Sequence, residues 1–503
     1  MSKMLHGGRL GNVRDDVAKF TSSRKDDARL ADAVLAINKA HVVMLMEQKI
    51  IQWQDGAKIL KALQKQVNQK LDPNAEDVHM AIEEAVLAET GPEVGGNLHI
   101  AKSRNDQVTT AIRMTLRNEL LSIIQQVLDM QESLISKASK HTETVILAYT
   151  HLQPAQPVTF AHYLLSYVGG LGRDLQRLQS VYERVNLCPL GAGALATTSF
   201  PINRKTTSEL LGFDAVLENS IDAVGSRDFI LETQSALTLL AVNLSRLAED
   251  LIIWSSSEFG IVELPDEFTS TSSIMPQKKN PEVLEVIRAR ASYALGDFVA
   301  SAAALKSLPS TYNLDFQEIT PKLWASTDNL FASVSIFVKL IPNLKVSSNV
   351  ENKAAAGFVG ATELANMLVR KYKVAFRTSH KIVGALVKAL MDSKQTLLDA
   401  SPELLRDVAL ETSGIQLSVR KEDMVECTNL RKLIETYKVQ GGPSPAEVER
   451  AITSTNKTLR QTKANVAKLQ SNLVNAKKVL NSTVESHSQS DSSKNGRLKK
   501  SNL

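Results

Sequence analysis

The sequence predicts an all-α protein built on a central bundle of long helices, on three grounds. Only 5% of the residues are aromatic, while Ala, Leu, Val, Lys and Glu abound, a balance that suits helices better than sandwiches or barrels. Apolar residues recur at helical spacing over unusually long stretches. Finally, 503 residues with 43% hydrophobic content can bury a large core, which excludes a disordered chain and suggests several domains.

Residues 108–141 place Ile112, Leu116, Leu120, Ile123, Ile124, Val127 and Leu134 on one stripe of a single helix. Comparable stretches cover 160–186, 227–259 and 281–305, each about 35 to 40 Å long at 1.5 Å per residue. Four polar segments flank them: GGNLHIAKSRNDQ, AYTHLQPAQP, LPDEFTSTSSIMPQKKNP and KSLPSTYNLDFQE. They read as loops that present reactive side chains on a rigid scaffold. The expected division is a helical N-terminal domain over 1–105, the long-helix bundle over 106–355, a small helical domain over 356–445, and an extension over 446–503.

That extension follows the punctuation GGPSP and repeats Ile452, Leu459, Val466, Leu473 and Leu480 every seven residues, with Val448, Leu469 and Ala476 interleaved. Thr455 and Thr462 interrupt the seam, so the pattern favours a helix packed on its own protein over an independent coiled coil. After about Ser486 the Ser-, Lys- and Asn-rich composition reads as a disordered basic end. The net charge of +5 belongs to this region, because residues 449–503 hold eleven Lys or Arg against three acids. A solvated tail is the ordinary reading of such a run, and a nucleic-acid contact the alternative.

Cys188 and Cys427 have neither zinc-site nor disulfide-framework spacing and are expected as free thiols. No apolar run reaches membrane-spanning length and no apolar secretory segment opens the chain, so a cytoplasmic location is expected. No cluster of metal-ligand spacing, phosphate loop or nucleophile elbow is present, and no cofactor is implied.

The sharpest chemical signal is the segment from Ser270 to Pro281, small hydroxylic residues leading through Lys278 and Lys279 into a helix. Pro281 suits the first helical position and Asn280 the cap, which would turn free N–H groups and the positive helix end toward the loop as an anion site. Taken alone, an ordinary capped surface turn explains it equally well.

The segment resembles the signature loop of the fumarase/aspartase superfamily, and its Gln277-Lys278-Lys279-Asn280-Pro281 form resembles the argininosuccinate lyases in particular. Three further blocks are similar: Ser103-Arg104-Asn105-Asp106-Gln107, Tyr149-Thr150-His151-Leu152-Gln153 and Leu308-Pro309-Ser310-Thr311-Tyr312-Asn313. Weaker matches are Gly7-Gly8-Arg9, Glu76-Asp77-Val78-His79 and Ser226-Arg227-Asp228-Phe229. The resemblance runs from residue 5 to about 445 and leaves the extension outside it, as an addition.

It implies a three-domain fumarase/aspartase-like fold and a homotetramer whose active sites combine blocks from three subunits. It also implies metal-free elimination of fumarate from argininosuccinate to give arginine, the last step of arginine biosynthesis. A proton must then leave a carbon beside a carboxylate, which needs a base and a field for the dianion that develops. By resemblance Ser272 is the base, with His151 as the alternative base or as the acid for the departing nitrogen. Lys278 supplies positive charge and Glu285 pairs with the histidine. Ser23, Ser103, Arg104, Asn105, Thr150, Asn280, Tyr312, Gln317 and Thr320 fall at substrate-binding positions, with Arg227 as a supporting charge or a structural ion pair. Two positions depart from the family pattern. Thr320 stands where the family has a lysine, with Lys322 nearby, and Thr271 replaces a loop glycine. The rival readings are another lyase of the superfamily, acting on adenylosuccinate, fumarate or aspartate, and a non-catalytic homologue like a lens crystallin. The latter would have lost a reactive residue, whereas Ser272, His151, Lys278 and Glu285 are all present.

Overall fold

The computed structural model describes residues 14–67, 75–347 and 350–489. The Gly7-Gly8-Arg9 block and residues 490–503 of the basic end lie outside them. After a short helix over Asp15–Thr21 come three longer ones, α1 (Ala31–Glu47), α2 (Trp53–Lys65) and α3 (Val78–Thr90). Five long helices follow: α4 (Arg104–Ser139), α5 (Phe160–Val185), α6 (Asp228–Ser255), α7 (Glu282–Leu305) and α8 (Asp315–Asn343). A smaller group, α9 (Ala361–Tyr372), α10 (Phe376–Asp392), α11 (Pro402–Ser413) and α12 (Lys421–Thr428), has its own core around Leu368, Ile382, Leu386 and Leu405. The last helix is α13 (Pro445–Gln489). The protein is all-α apart from short strand pairs.

The stripe on α4 faces the core as its spacing requires, since Ile112, Leu116, Leu120, Ile123, Ile124, Val127 and Leu134 are all buried. The long helices alternate in direction. Arg113 near the start of α4 donates to the Arg184 carbonyl at the end of α5 (2.7 Å) and lies over Phe229 at the start of α6. Arg288 meets Glu249 where α7 begins beside the end of α6, and Lys137 at the end of α4 donates to the Pro342 carbonyl at the end of α8 (3.3 Å). The bundle therefore has two distinct ends. One holds the starts of α4, α6 and α8; the other holds their last turns.

Three features differ from the sequence reading. The AYTHLQPAQP segment is the arm of a β-hairpin, β1 (Val145–Thr150) and β2 (Gln153–Thr159), although Pro154 and Pro157 argue against a strand. The fifth bundle helix, α8, carries Pro321 and Pro342 inside it and so breaks the helical pattern by which the others are recognised. At α7 the cap is Pro281 rather than Asn280. Asn280 is held in a strand pair with Ser270, and the ψ of 46° at Pro281 keeps that residue out of the helix.

The heptad segment packs on its own chain. Helix α13 runs antiparallel to α4, with Lys463 paired to Glu132 (2.8 Å) and Ala476 against Gly212 beside Arg117. Val448, Leu459, Val466, Leu480 and Val484 are buried. His487 stacks on Trp53 at 4.8 Å, so the helix continues past Ser486, the expected start of the disordered end, to Gln489. Both cysteines are free and buried. No described helix is long and apolar enough to cross a membrane.

Candidate active site

At the end of the bundle where α4 starts, Ser103 is the N-cap, its Oγ accepting from the Asn105 N–H (3.3 Å) and its own N–H donating to Asp106 (3.0 Å). This reciprocal cap aims free N–H groups of the first turn outward. Arg104 reaches Asp77, the cap of α3, at 3.3 Å. Ser23 donates to the buried Asp27, whose carboxyl is pushed up to about 6 by burial, against the pull of that hydrogen bond. Gln317 donates to the Thr21 carbonyl (2.8 Å). Tyr312 packs edge-on against Phe316, and the Arg227 guanidinium lies over the same ring at 4.3 Å. The structure thus gathers Ser23, Ser103, Arg104, Asn105, Tyr312 and Gln317 with two acids to which the sequence assigned no role, Asp27 and Asp77. Donors for carboxylates and acceptors for a cation stand side by side.

Arg227 makes no ion pair among the described residues. It is 2% exposed, donates to the Val224 and Ser226 carbonyls (3.1 and 2.7 Å), and burial lowers its guanidinium to about 9. Thr320 is also buried, its hydroxyl returned to the Phe316 carbonyl of its own helix (3.1 Å). Lys322 is half-buried.

The remaining candidates sit at the opposite end. His151 and Leu152 form the two-residue turn of the hairpin, with φ of 54° and 56°. This left-handed backbone is the one that two-residue hairpin turns require, and it is strained for residues other than Gly or Asn. It projects the imidazole and the neighbouring Thr150 into solvent. Beside His151 opens a cleft of about 470 Å³ lined by Tyr149, Tyr163, Asp250, Trp254 and Phe259. Asp250 accepts from the Tyr163 and Tyr167 hydroxyls (3.1 and 2.6 Å).

The signature loop is closed by pairing of Ser270 with Asn280 and Thr271 with Lys279. Lys279 is spent on Glu263 and Asp266 (3.3 and 2.6 Å), which leaves Lys278 as the exposed loop cation without an ion pair among the described residues. The Ser272 Oγ accepts from the Ile274 and Met275 N–H groups (3.2 and 3.1 Å). Glu285 is exposed on the first turn of α7. Among the described residues no hydrogen bond or ion pair joins His151 to Ser272, Lys278 or Glu285.

The two ends are far apart. Arg227 precedes α6 and Trp254 closes it, so a rise of 1.5 Å per residue separates the Tyr312 cluster from the His151 cleft by about 40 Å. No small substrate spans that distance.

Residues 9–296 match the family described as Lyase, and residues 358–435 match Argininosuccinate lyase C-terminal. Argininosuccinate lyase of Methanosarcina barkeri is 43% identical over 93% of this chain and 96% of its own. That of Methanocaldococcus jannaschii is 44% identical over 89% and 93%. The chain belongs to the argininosuccinate lyase family. It is therefore a lyase. Among solved structures, EDDS lyase in complex with formate superposes with a TM-score of 0.86 at 32% identity, covering 92% of this chain and 93% of that one. A class II fumarase from Schistosoma mansoni shares the fold at a TM-score of 0.68 and 17% identity, over 81% and 91% of the two chains. The argininosuccinate lyase of Methanosarcina mazei aligns over 97% of this chain, a share too large to end at residue 445. The C-terminal helix is thus shared within the family, which corrects its reading as an addition.

Proposed function

We propose that the protein is an argininosuccinate lyase of arginine biosynthesis, releasing fumarate and arginine from argininosuccinate. The observation that carries this reading is identity above 40% to argininosuccinate lyases over nine tenths of the chain. The site's chemistry supports it. The substrate has three carboxylates, an amino group and a guanidinium. Ser103, Arg104, Asn105 and Asn280 supply donors for the carboxylates, Asp27 and Asp77 supply acceptors for a cation, and Ser23, Thr150, Tyr312 and Gln317 complete the expected pocket, from which the buried Thr320 is withdrawn.

Ser272 removes a proton from the methylene carbon beside the substrate carboxylate, next to the carbon that bears the departing nitrogen. An unassisted hydroxyl is far too weak an acid to serve, but two backbone N–H groups already point at this Oγ, and Lys278 stands in the same loop. Together they favour its ionised form. As the C–N bond breaks, the electron pair released by the proton forms the double bond of fumarate. His151, partnered by Glu285, protonates the leaving guanidino nitrogen.

The 40 Å between the two clusters supports sites assembled from several chains, and so does α7. Of its 24 residues only Leu284, Ile287, Ala294 and Ser301 are buried, while Val286, Tyr293, Leu295 and Val299 are about half exposed. A helix this apolar with so little cover calls for partner helices, and we assign it to the core of a homotetramer. The bundle domain at 106–355 would then be the assembly domain, flanked by 1–105 and 356–445. Buried free thiols fit a reducing, cytoplasmic setting.

The test is ultraviolet detection of fumarate when purified protein meets argininosuccinate, with adenylosuccinate and aspartate run in parallel. Release from argininosuccinate alone is expected; silence with all three would overturn the proposal.

A further inference from the structure

The loop after α5, Pro189 to Ala194, is fixed from both sides. Gly191 and Gly193 have φ of 86° and 60°, conformations that favour glycine, and both turn their N–H groups onto one oxygen of Asp106 (3.0 and 2.9 Å). The other oxygen of Asp106 accepts from the Ser103 N–H (3.0 Å). From the far side Arg204 donates to the Leu190 and Pro189 carbonyls (3.0 and 3.3 Å). The loop answers through its last carbonyl, Ala194, which accepts from the Asn105 side chain (3.0 Å).

Helix capping alone does not call for such an arrangement. Asp106 is fully buried, burial pushes its carboxyl up to about 6, and its nearest buried cation, Lys102, is bonded to Asn38 instead. A neutral serine or asparagine would satisfy a helix start without the cost of burying a charge. The carboxylate is matched to three backbone N–H groups from two separate segments.

The loop also reaches the rest of the cluster. Ala192 packs on Ala223 and Val224, Val224 accepts from Arg227, and Gly225 lies so near the loop before Tyr312 that a Cβ would meet Thr311 backbone at 3.1 Å.

We propose that Asp106 and Arg204 are positioning residues for substrate binding, holding the 189–194 loop against the start of α4 so that Ser103, Arg104 and Asn105 keep the geometry that receives a substrate carboxylate. The binding half of this inference rests on the argininosuccinate reading; the clamp itself does not.

Two substitutions in the full-length assembled enzyme test it, Asp106→Asn and Arg204→Gln. Each is expected to raise KM for argininosuccinate about ten-fold or more while kcat changes by less than about three-fold, the mark of lost ground-state and transition-state binding alike. Amide exchange over 189–197 and 100–107 should quicken about ten-fold with the other bundle helices unchanged, and Arg204→Lys should recover part of the loss. Unchanged KM in a folded variant, or kcat falling as far as KM rises, would overturn the role in binding. If Asp106→Asn does not fold, Arg204→Gln decides on the same readouts, because its half-buried side chain donates to the loop's carbonyls. If the wild type is silent with argininosuccinate, the functional reading fails, and unchanged exchange in the variants would separately overturn the clamp.

Discussion

In the proposed mechanism Ser272, a weak acid, acts as the base. Its Oγ receives two backbone N–H groups, an arrangement that caps a turn in the ordinary state and stabilises negative charge when the hydroxyl loses its proton. Ser272→Ala is therefore expected to lower kcat by a factor on the order of 10³ or more, as for loss of an essential catalytic group, while calorimetry still detects argininosuccinate binding. Near-normal turnover would remove Ser272 from the mechanism. Asp27 makes the opposite bargain, with stability given up for a buried acceptor. Its carboxyl sits at about 6 in the folded chain against an ordinary value of 3.8. The folded state thus holds its proton more tightly than the unfolded state between those values. Stability from this group is present below pH 3.8 and is lost as pH rises through 6. Asp27→Asn should raise the melting temperature at pH 7.5, by an amount reflecting about 3 kcal/mol, with no gain at pH 3.5, and should weaken binding of the cationic substrate group. A gain of equal size at both pH values would contradict this account. Asp27 was not legible in the sequence, because a lone acid carries no spacing signal, and Asp77 was visible only within a weak block that gave it no role. Ser103 and Arg104 were legible as part of a block.

Among the elements, α13 bears most on stability. Its buried Val448, Leu459, Val466, Leu480 and Val484 are each worth about 1.5–3 kcal/mol, together comparable to the net stability of a whole domain. A chain ending at Gly442 should melt more than about 10 °C lower or fail to fold, whereas one ending at Gln489 should melt like the full chain; equal melting of both would assign α13 no structural part. The helical elements were legible wherever an apolar stripe ran unbroken, as in α4 and in the heptads of α13. They were lost where local chemistry and tertiary packing disagree. Pro321 and Pro342 hide α8, and Pro154 and Pro157 hide the hairpin that carries His151. Asn280 looks like a cap, yet it is drawn into pairing with Ser270, so the helix begins one residue later than its sequence suggests.

At the scale of the whole molecule, the long helices that make the fold stable also hold the two candidate clusters apart, so that on the proposed function one chain does not complete its own site. With Arg227 at the start of α6, near Tyr312, and the His151 cleft at its far end, about 40 Å away, the proposed mechanism requires the substrate-binding donors and the groups assigned to the chemistry to meet between chains. The separation is visible only once helix directions are known. In sequence, SRNDQ and YTHLQ are two polar blocks of equal standing. The most direct test is complementation. Arg104→Gln and His151→Asn variants, each inactive alone, are co-refolded and mixed assembly is verified by mass. Sites that draw one intact block from each variant should then restore turnover, to about a quarter of the native rate if chains mix at random within a symmetric assembly. Mixed assemblies that stay inactive would show that one chain supplies both blocks to a site, and the account of a composite active site would be wrong.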